Sequence, residues 1–258
     1  MKKIIPKYIL IFTLIFIIFK NGNIIKNNIY ETYIYFIKNI LPSLFPLMFI
    51  SLYLKHNVLN KTNNKFILYT VFCSSFAPSN ALLTDDKNII LFTWIVNPFY
   101  SYYTIKELLN KNCSLFITLT NIIINYVILF IYVNKKKNIE INNIKDKNIN
   151  EITKDVITNI INIFGVTLVF SCIMEICKIY KLPIKIVAIL DVINGFKIIN
   201  NVSSFKLLLV VFLNSFTGLN IYFQIKSINK NINLYDLCKK LLLSILIAVL
   251  TILLISLY

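Results

Sequence analysis

The chain has 258 residues, 57% of them hydrophobic and only 15% charged, with a mean hydropathy of +0.73. Soluble globular proteins carry about 25% charge, so a water-soluble enzyme is excluded and an integral membrane protein is expected, with room for about seven or eight helices of roughly 20 residues. The net charge of +16 comes from 27 basic residues, all lysine, against 11 acids; they lie between apolar runs, where they set membrane orientation, and with no arginine to grip phosphates no nucleic-acid partner is expected.

Residues 1–38 read as an N-terminal transmembrane anchor followed by an interfacial helix. Lys2, Lys3 and Lys7 precede an apolar run over 8–19, and Lys20-Asn21-Gly22-Asn23 stands where a signal peptide would carry small residues, so the first helix is expected to stay uncleaved. Over 24–38, Ile25, Ile29, Tyr33 and Phe36 recur at helical spacing. That pattern fits an amphipathic helix in the interface, leading directly into the next span.

The first half, 39–133, opens with a span over 39–54 that contains Pro42 and Pro46. Each proline removes a backbone donor and crowds the carbonyl four residues back, which predicts a bent or broken helix. The run over 66–83 is interrupted by Ser74-Ser75-Phe76-Ala77-Pro78-Ser79-Asn80. Such residues are tolerated in a membrane where they are buried in protein or line a cavity, so a re-entrant hairpin is expected. A span over 88–103 carries Asn97-Pro98, and 113–133 is a clean span.

Residues 134–154 form a basic linker expected in the cytoplasm. The second half, 155–230, has a span over 155–177, an interrupted run over 182–199 with Asp191, Asn194 and Gly195, and a span over 207–225. A C-terminal transmembrane helix occupies 231–258. With the N-terminus inside and both interrupted runs re-entrant, seventeen lysines fall inside and nine outside, with Lys197 set aside. Full spans at both places give fifteen to eleven, so the lysine excess favours two hairpins. The two halves then enter the membrane from opposite sides, an inverted repeat of the kind found in transporters.

Cys73, Cys113, Cys172, Cys177 and Cys238 form no CxxC pair, and His56 is the one histidine. They give neither a metal site nor a disulfide framework. HExxH, GxSxG, P-loop and dinucleotide fingerprints are absent from the sequence, so no enzyme and no cofactor is expected.

Several segments, in order, resemble the sporulation integral membrane proteins of the YlbJ type, which carry nucleoside-recognition or Gate domains. They are Ile40-Leu41-Pro42-Ser43-Leu44-Phe45-Pro46, the turn from Ser75 to Ala81, Phe92-Thr93 with Asn97-Pro98-Phe99, and Phe164-Gly165 with Leu168-Val169-Phe170-Ser171. Asp191 to Gly195 and Ser215-Phe216-Thr217-Gly218-Leu219, running on to Gln224-Ile225-Lys226-Ser227-Ile228, complete the set. The chain departs from the family turn at Phe76 and Asn80, which replace glycines, and has Asp191 where glutamate is usual. The resemblance implies a bacterial inner-membrane protein needed for spore formation, with a Gate fold shared with nucleoside and ion transport systems.

An ionisable residue in an apolar run is a candidate functional group. Asp191 is the leading one, with Asn194 and Gly195 on the same face if the run is helical; pairing with Lys185 or Lys197 is the structural alternative. Pro78, Asn80, Asn97, Asn214, Ser215 and Gln224 join Asp191 and Asn194 as expected lining of a midplane site, with helix packing the alternative for the hydroxyl and amide residues. The expected fold is an all-α polytopic bundle of two inverted half-units with re-entrant hairpins. Its expected partners are the lipid bilayer, a small solute or ion, and further copies of itself or other membrane proteins. A non-transporting assembly or scaffold role is the competing reading.

Overall fold

The computed structural model describes residues 19–54, 56–57, 78, 80–81, 84, 86–96, 98–109, 111–135, 146–199 and 205–256. The expected first helix over 8–19, nearly all of the hairpin over 66–83, and Asn97 lie outside the described residues. Among the described residues the secondary structure is helical throughout, without a strand. Five helices among the described residues are long and apolar enough to cross a membrane: Gly22–Leu54, Asn112–Lys135, Ile149–Ile179, Lys206–Ile228 and Leu234–Ser256. The chain is thus an all-α bundle of membrane-protein character.

The first of these is a single helix of 33 residues. It comprises α1 (Gly22–Tyr35), a π-helical turn (Phe36–Ile40) and α2 (Leu41–Leu54). Residues 24–38 therefore run straight into the next segment as expected, but they pack along a neighbouring helix rather than standing apart as an interfacial element. The prolines do not break the helix. The Leu41 N–H reaches back five residues to the Phe36 carbonyl, and this wider turn relieves the crowding that Pro42 imposes on the turn before it.

The run expected as one span over 88–103 is broken in two. Helix α3 (Lys87–Phe92) starts at Asp86, whose carboxylate accepts the N–H groups of Asn88 at 3.0 Å and Ile89 at 3.3 Å. It ends at Thr93, and α4 (Pro98–Leu108) begins with the proline in the position where a missing N–H costs nothing. Helix α5 (Lys111–Lys135) then matches the clean span.

Helix α6 (Ile149–Ile179) begins inside the expected linker because Asn148 and Glu151 form a reciprocal capping box. It holds α1 through a polar ladder: Thr32 and Ser171 hydroxyls lie 2.7 Å apart, Ser171 donates to Asn28 Oδ1 at 2.6 Å, and the Asn28 amide donates to Glu175. Alongside, Phe36, Leu44, Met48 and Leu52 pack against Ile152, Val156, Ile160 and Ile163.

The interrupted run over 182–199 has the expected fold-back. Helices α7 (Ile184–Leu190) and α8 (Val192–Ile199) turn about Asp191 and lie so close that a Cβ on Gly195 would sit 2.4 Å from the Ala188 carbonyl oxygen. Asp191 is extended, at φ −146° and ψ 124°. It therefore sits at the tip between two helices, not on one helical face with Asn194 and Gly195. The span expected over 207–225 is also broken, into α9 (Lys206–Phe216) and α10 (Gly218–Ile228), because Thr217 adopts φ 67° and Gly218 φ 83°. Helix α11 (Leu234–Ser256) packs along α9, and Lys240 is fully buried within it.

Candidate functional site: a carboxylate at the crossing of two chain breaks

The tip of the α7–α8 hairpin rests on the break between α9 and α10. A Cβ added to Gly218 would lie 2.9 Å from the Val192 nitrogen and 3.2 Å from both the Asp191 Cα and the Ile189 oxygen. Only glycine permits this approach together with a positive φ. The first turns of α8 and α10 thus meet at Asp191, and their N-terminal partial positive charges favour its carboxylate.

Asp191 is 0% exposed. Its Oδ1 accepts from the Asn220 amide at 2.9 Å, and its Oδ2 accepts from the Asn194 side-chain amide at 2.9 Å and, more weakly, the Asn194 backbone N–H at 3.4 Å. The network continues outward. Gln224 donates to Asn220 Oδ1 at 2.9 Å and to the Thr167 hydroxyl of α6 at 3.2 Å. Gln224 Oε1, by contrast, is buried with no hydrogen-bond partner. Lys185, one of the alternative partners for Asp191, is instead placed over the Phe205 ring at 5.1 Å.

The third break, between α3 and α4, joins the same centre. The Trp94 indole N–H donates to the Thr217 hydroxyl, and the indole stacks on Tyr222 at 6.1 Å with planes 13° apart. Asn80 is fully buried, and its amide reaches the Thr93 carbonyl at 3.4 Å, an oxygen at the end of α3. Pro78 is buried nearby in sequence.

Asn214 and Ser215 belong elsewhere. Asn214 Oδ1 accepts from Ser101 at 2.5 Å, and its backbone oxygen accepts from Asn121, which also binds Asn125. This second polar layer ties α4, α5 and α9 together. Ser215 bonds the Val211 carbonyl of its own helix at 3.1 Å, which is a packing role. Of the residues expected to line one site, the structure gathers Asp191, Asn194 and Gln224, places Asn80 at the adjoining α3–α4 break, and assigns Asn214 and Ser215 to the neighbouring layer.

Asn220, Thr167, Trp94 and Lys240 were not among the expected residues. Asn220 falls three residues after Thr217 and four before Gln224, a helical spacing that identifies it once α10 is known to start at Gly218. Lys240 carries an Nζ with no hydrogen-bond partner, and its position beside Lys239 at the edge of the apolar run disguises its burial.

One cavity adjoins the centre and a second lies beyond it. A small one of about 40 Å³ is lined by Thr217, Gln224, Thr167, Val96, Tyr100 and Ser43 among others. A larger one of about 440 Å³ lies between the α1–α2 junction and α4 and shares Tyr100 and Ser43 with the first. Among the described residues no three His, Cys, Asp or Glu side chains come together as a metal-binding group. A buried carboxylate held by amides that can rotate away is suited to exchanging a proton or receiving the donor group of a small solute. Comparison with protein families, with characterised proteins and with solved structures finds no match.

Proposed function

We propose that this chain is a multi-pass membrane protein of transport type, in which a small solute or ion is handled at the Asp191 centre. The observation that carries this reading is a fully buried carboxylate at a hairpin tip, gripped by Asn194 and Asn220 and seated on the Thr217–Gly218 break. Non-helical backbone inside an apolar bundle is tolerated where it is buried in protein or lines a cavity, and an ionisable residue there is by default a candidate functional group. Discontinuous helices meeting near mid-bundle are the means by which transporters expose backbone and polar groups to a substrate.

The order of elements supports a Gate-like plan of two half-units. In the second half a long helix, a hairpin, a broken helix and a long helix follow one another as α6, α7–α8, α9–α10 and α11. In the first half α2, the expected hairpin over 66–83, the broken α3–α4 pair and α5 follow the same order. The lysine distribution supports opposite orientation of the two.

Deleting the gene in its source organism, and returning wild-type or Asp191→Asn copies at equal membrane abundance, tests the reading. Rescue of the resulting defect, heat-resistant spore formation where the organism sporulates, is expected from wild type alone. Full rescue by Asp191→Asn would contradict the transport reading and leave the assembly role.

A further inference from the structure

The inner cavity of the Asp191 centre and the larger cavity beyond it meet at two residues. Tyr100 and Ser43 line both the chamber of about 440 Å³ and the inner cavity of about 40 Å³, so these residues form the partition between them. Ser43 is fixed, its hydroxyl donating to the Ile40 carbonyl at 2.9 Å. Tyr100 is held differently. Tyr100 shares the chamber wall with Tyr35 and Thr104, and its ring leans on Phe196 of the hairpin arm α8, with centroids 6.5 Å apart and planes at 44°. A ring that lines both cavities and rests on the hairpin is placed to follow any displacement of α8.

The polar groups on either side of this partition specify the visitor. At the inner end Gln224 Oε1 is an acceptor with no partner, on a residue only 2% exposed. It sits in a cavity otherwise walled mostly by apolar side chains, where an unsatisfied acceptor is costly until a donor arrives. On the outer side Glu107 is the charged residue among those lining the chamber. Glu107 is solvent-exposed at the open side of the chamber, where a carboxylate attracts cations and repels anions.

We propose that the larger chamber is the vestibule of the Asp191 centre, that Tyr100 is its gate, and that the path admits neutral or cationic solutes bearing an N–H or O–H donor for Gln224. The proposal rests on the transport reading of the Asp191 centre and adds to it an access side, a gating residue and a solute class. With the Tyr100 ring swung aside, vestibule and inner cavity become one chamber, and the donor reaches Gln224 Oε1 next to the Asn220–Asp191 chain.

Thiol labelling tests this without knowledge of the natural solute. In a full-length variant lacking the five native cysteines, Thr104→Cys marks the vestibule and Thr167→Cys marks the inner cavity. The probes are a small cationic methanethiosulfonate and its anionic counterpart. Thr104→Cys is expected to label readily in any background. Thr167→Cys is expected to label slowly with Tyr100 intact and about tenfold faster with Tyr100→Ala. Tyr100→Leu, which keeps an apolar side chain but removes the ring, is expected to fall between, and it carries the test should the alanine variant fail to fold. The cationic reagent should outpace the anionic one by about tenfold in the vestibule, and Glu107→Gln should level them.

Equal, slow labelling of Thr167→Cys with and without the Tyr100 ring, while Thr104→Cys labels, would overturn the gate. Equal rates for the two reagents in the presence of Glu107 would overturn the solute class. Should the labelling behave as expected while Asp191→Asn still rescues the deletion, the path stands and the role assigned to the carboxylate falls.

Discussion

At the scale of single residues, the centre is a chain of amides ending on one carboxylate. Asn220 is its middle link, donating its side-chain N–H to Asp191 and accepting the Gln224 N–H on its Oδ1. Asn220→Ala removes both and leaves buried groups unmatched, a loss of about 1–3 kcal/mol that thermal unfolding of the purified protein would register as a lower midpoint. In a double-mutant cycle, Asn220→Ala and Asp191→Asn should couple, whereas Asn214→Ala and Asp191→Asn should add independently, because Asn214 bonds Ser101 and Asn121 instead. Lys240 behaves in the opposite sense. Its buried Nζ has no partner, so Lys240→Met, which keeps the length of the chain and removes the amine, is expected to raise the unfolding midpoint by an amount worth about 1–3 kcal/mol. A lower midpoint would show that the amine has a stabilising contact.

At the scale of elements, what matters is where helices stop. Gly195 and Gly218 let the hairpin close on itself and rest on the broken helix. Their alanine variants would drive a Cβ to within 2.4 Å and 2.9 Å of backbone atoms, and each should lose about 1–3 kcal/mol by overpacking. Gly165 is the internal control: it has open space around its Cβ position in mid-α6, so Gly165→Ala should stabilise by up to about 1 kcal/mol through helix propensity. The same contrast explains what could be read from the sequence. The fold-back at 182–199 was legible because polar residues and glycine interrupt an apolar run. The break at Thr217 was not, because a single left-handed residue leaves hydropathy untouched. Pro42 and Pro46 misled in the other direction, since a π-turn upstream accommodates a ring that local reasoning treats as a breaker. The single span expected over 88–103 gives way to a second helix that starts at Pro98 after the non-helical residues Thr93 to Val96.

At the scale of the whole molecule, the membrane character and the all-α class followed from composition, whereas the grouping of the polar residues did not. Asn214 and Gln224 lie ten positions apart on one expected span, and only the turn of the chain at Thr217 sends them to different layers. Trp94, the one tryptophan of the chain, joins the α3–α4 break to the α9–α10 break through Thr217 and is fully buried. Its fluorescence therefore reports on the centre: emission should be blue-shifted and shielded from iodide in the native protein, and Trp94→Phe should remove the signal while sparing the fold. Ready quenching by iodide would place the indole in contact with water and contradict the packing described. The central claim is that the Asp191 crossing handles a solute, and the direct measurement is flux. Wild-type and Asp191→Asn proteins, reconstituted at equal density in liposomes, are compared for uptake of protons, sodium and a panel of small amine- and hydroxyl-bearing solutes, nucleosides included. The account expects uptake of at least one of these by the wild type, above empty liposomes, and its loss in Asp191→Asn; undiminished uptake by Asp191→Asn would contradict it.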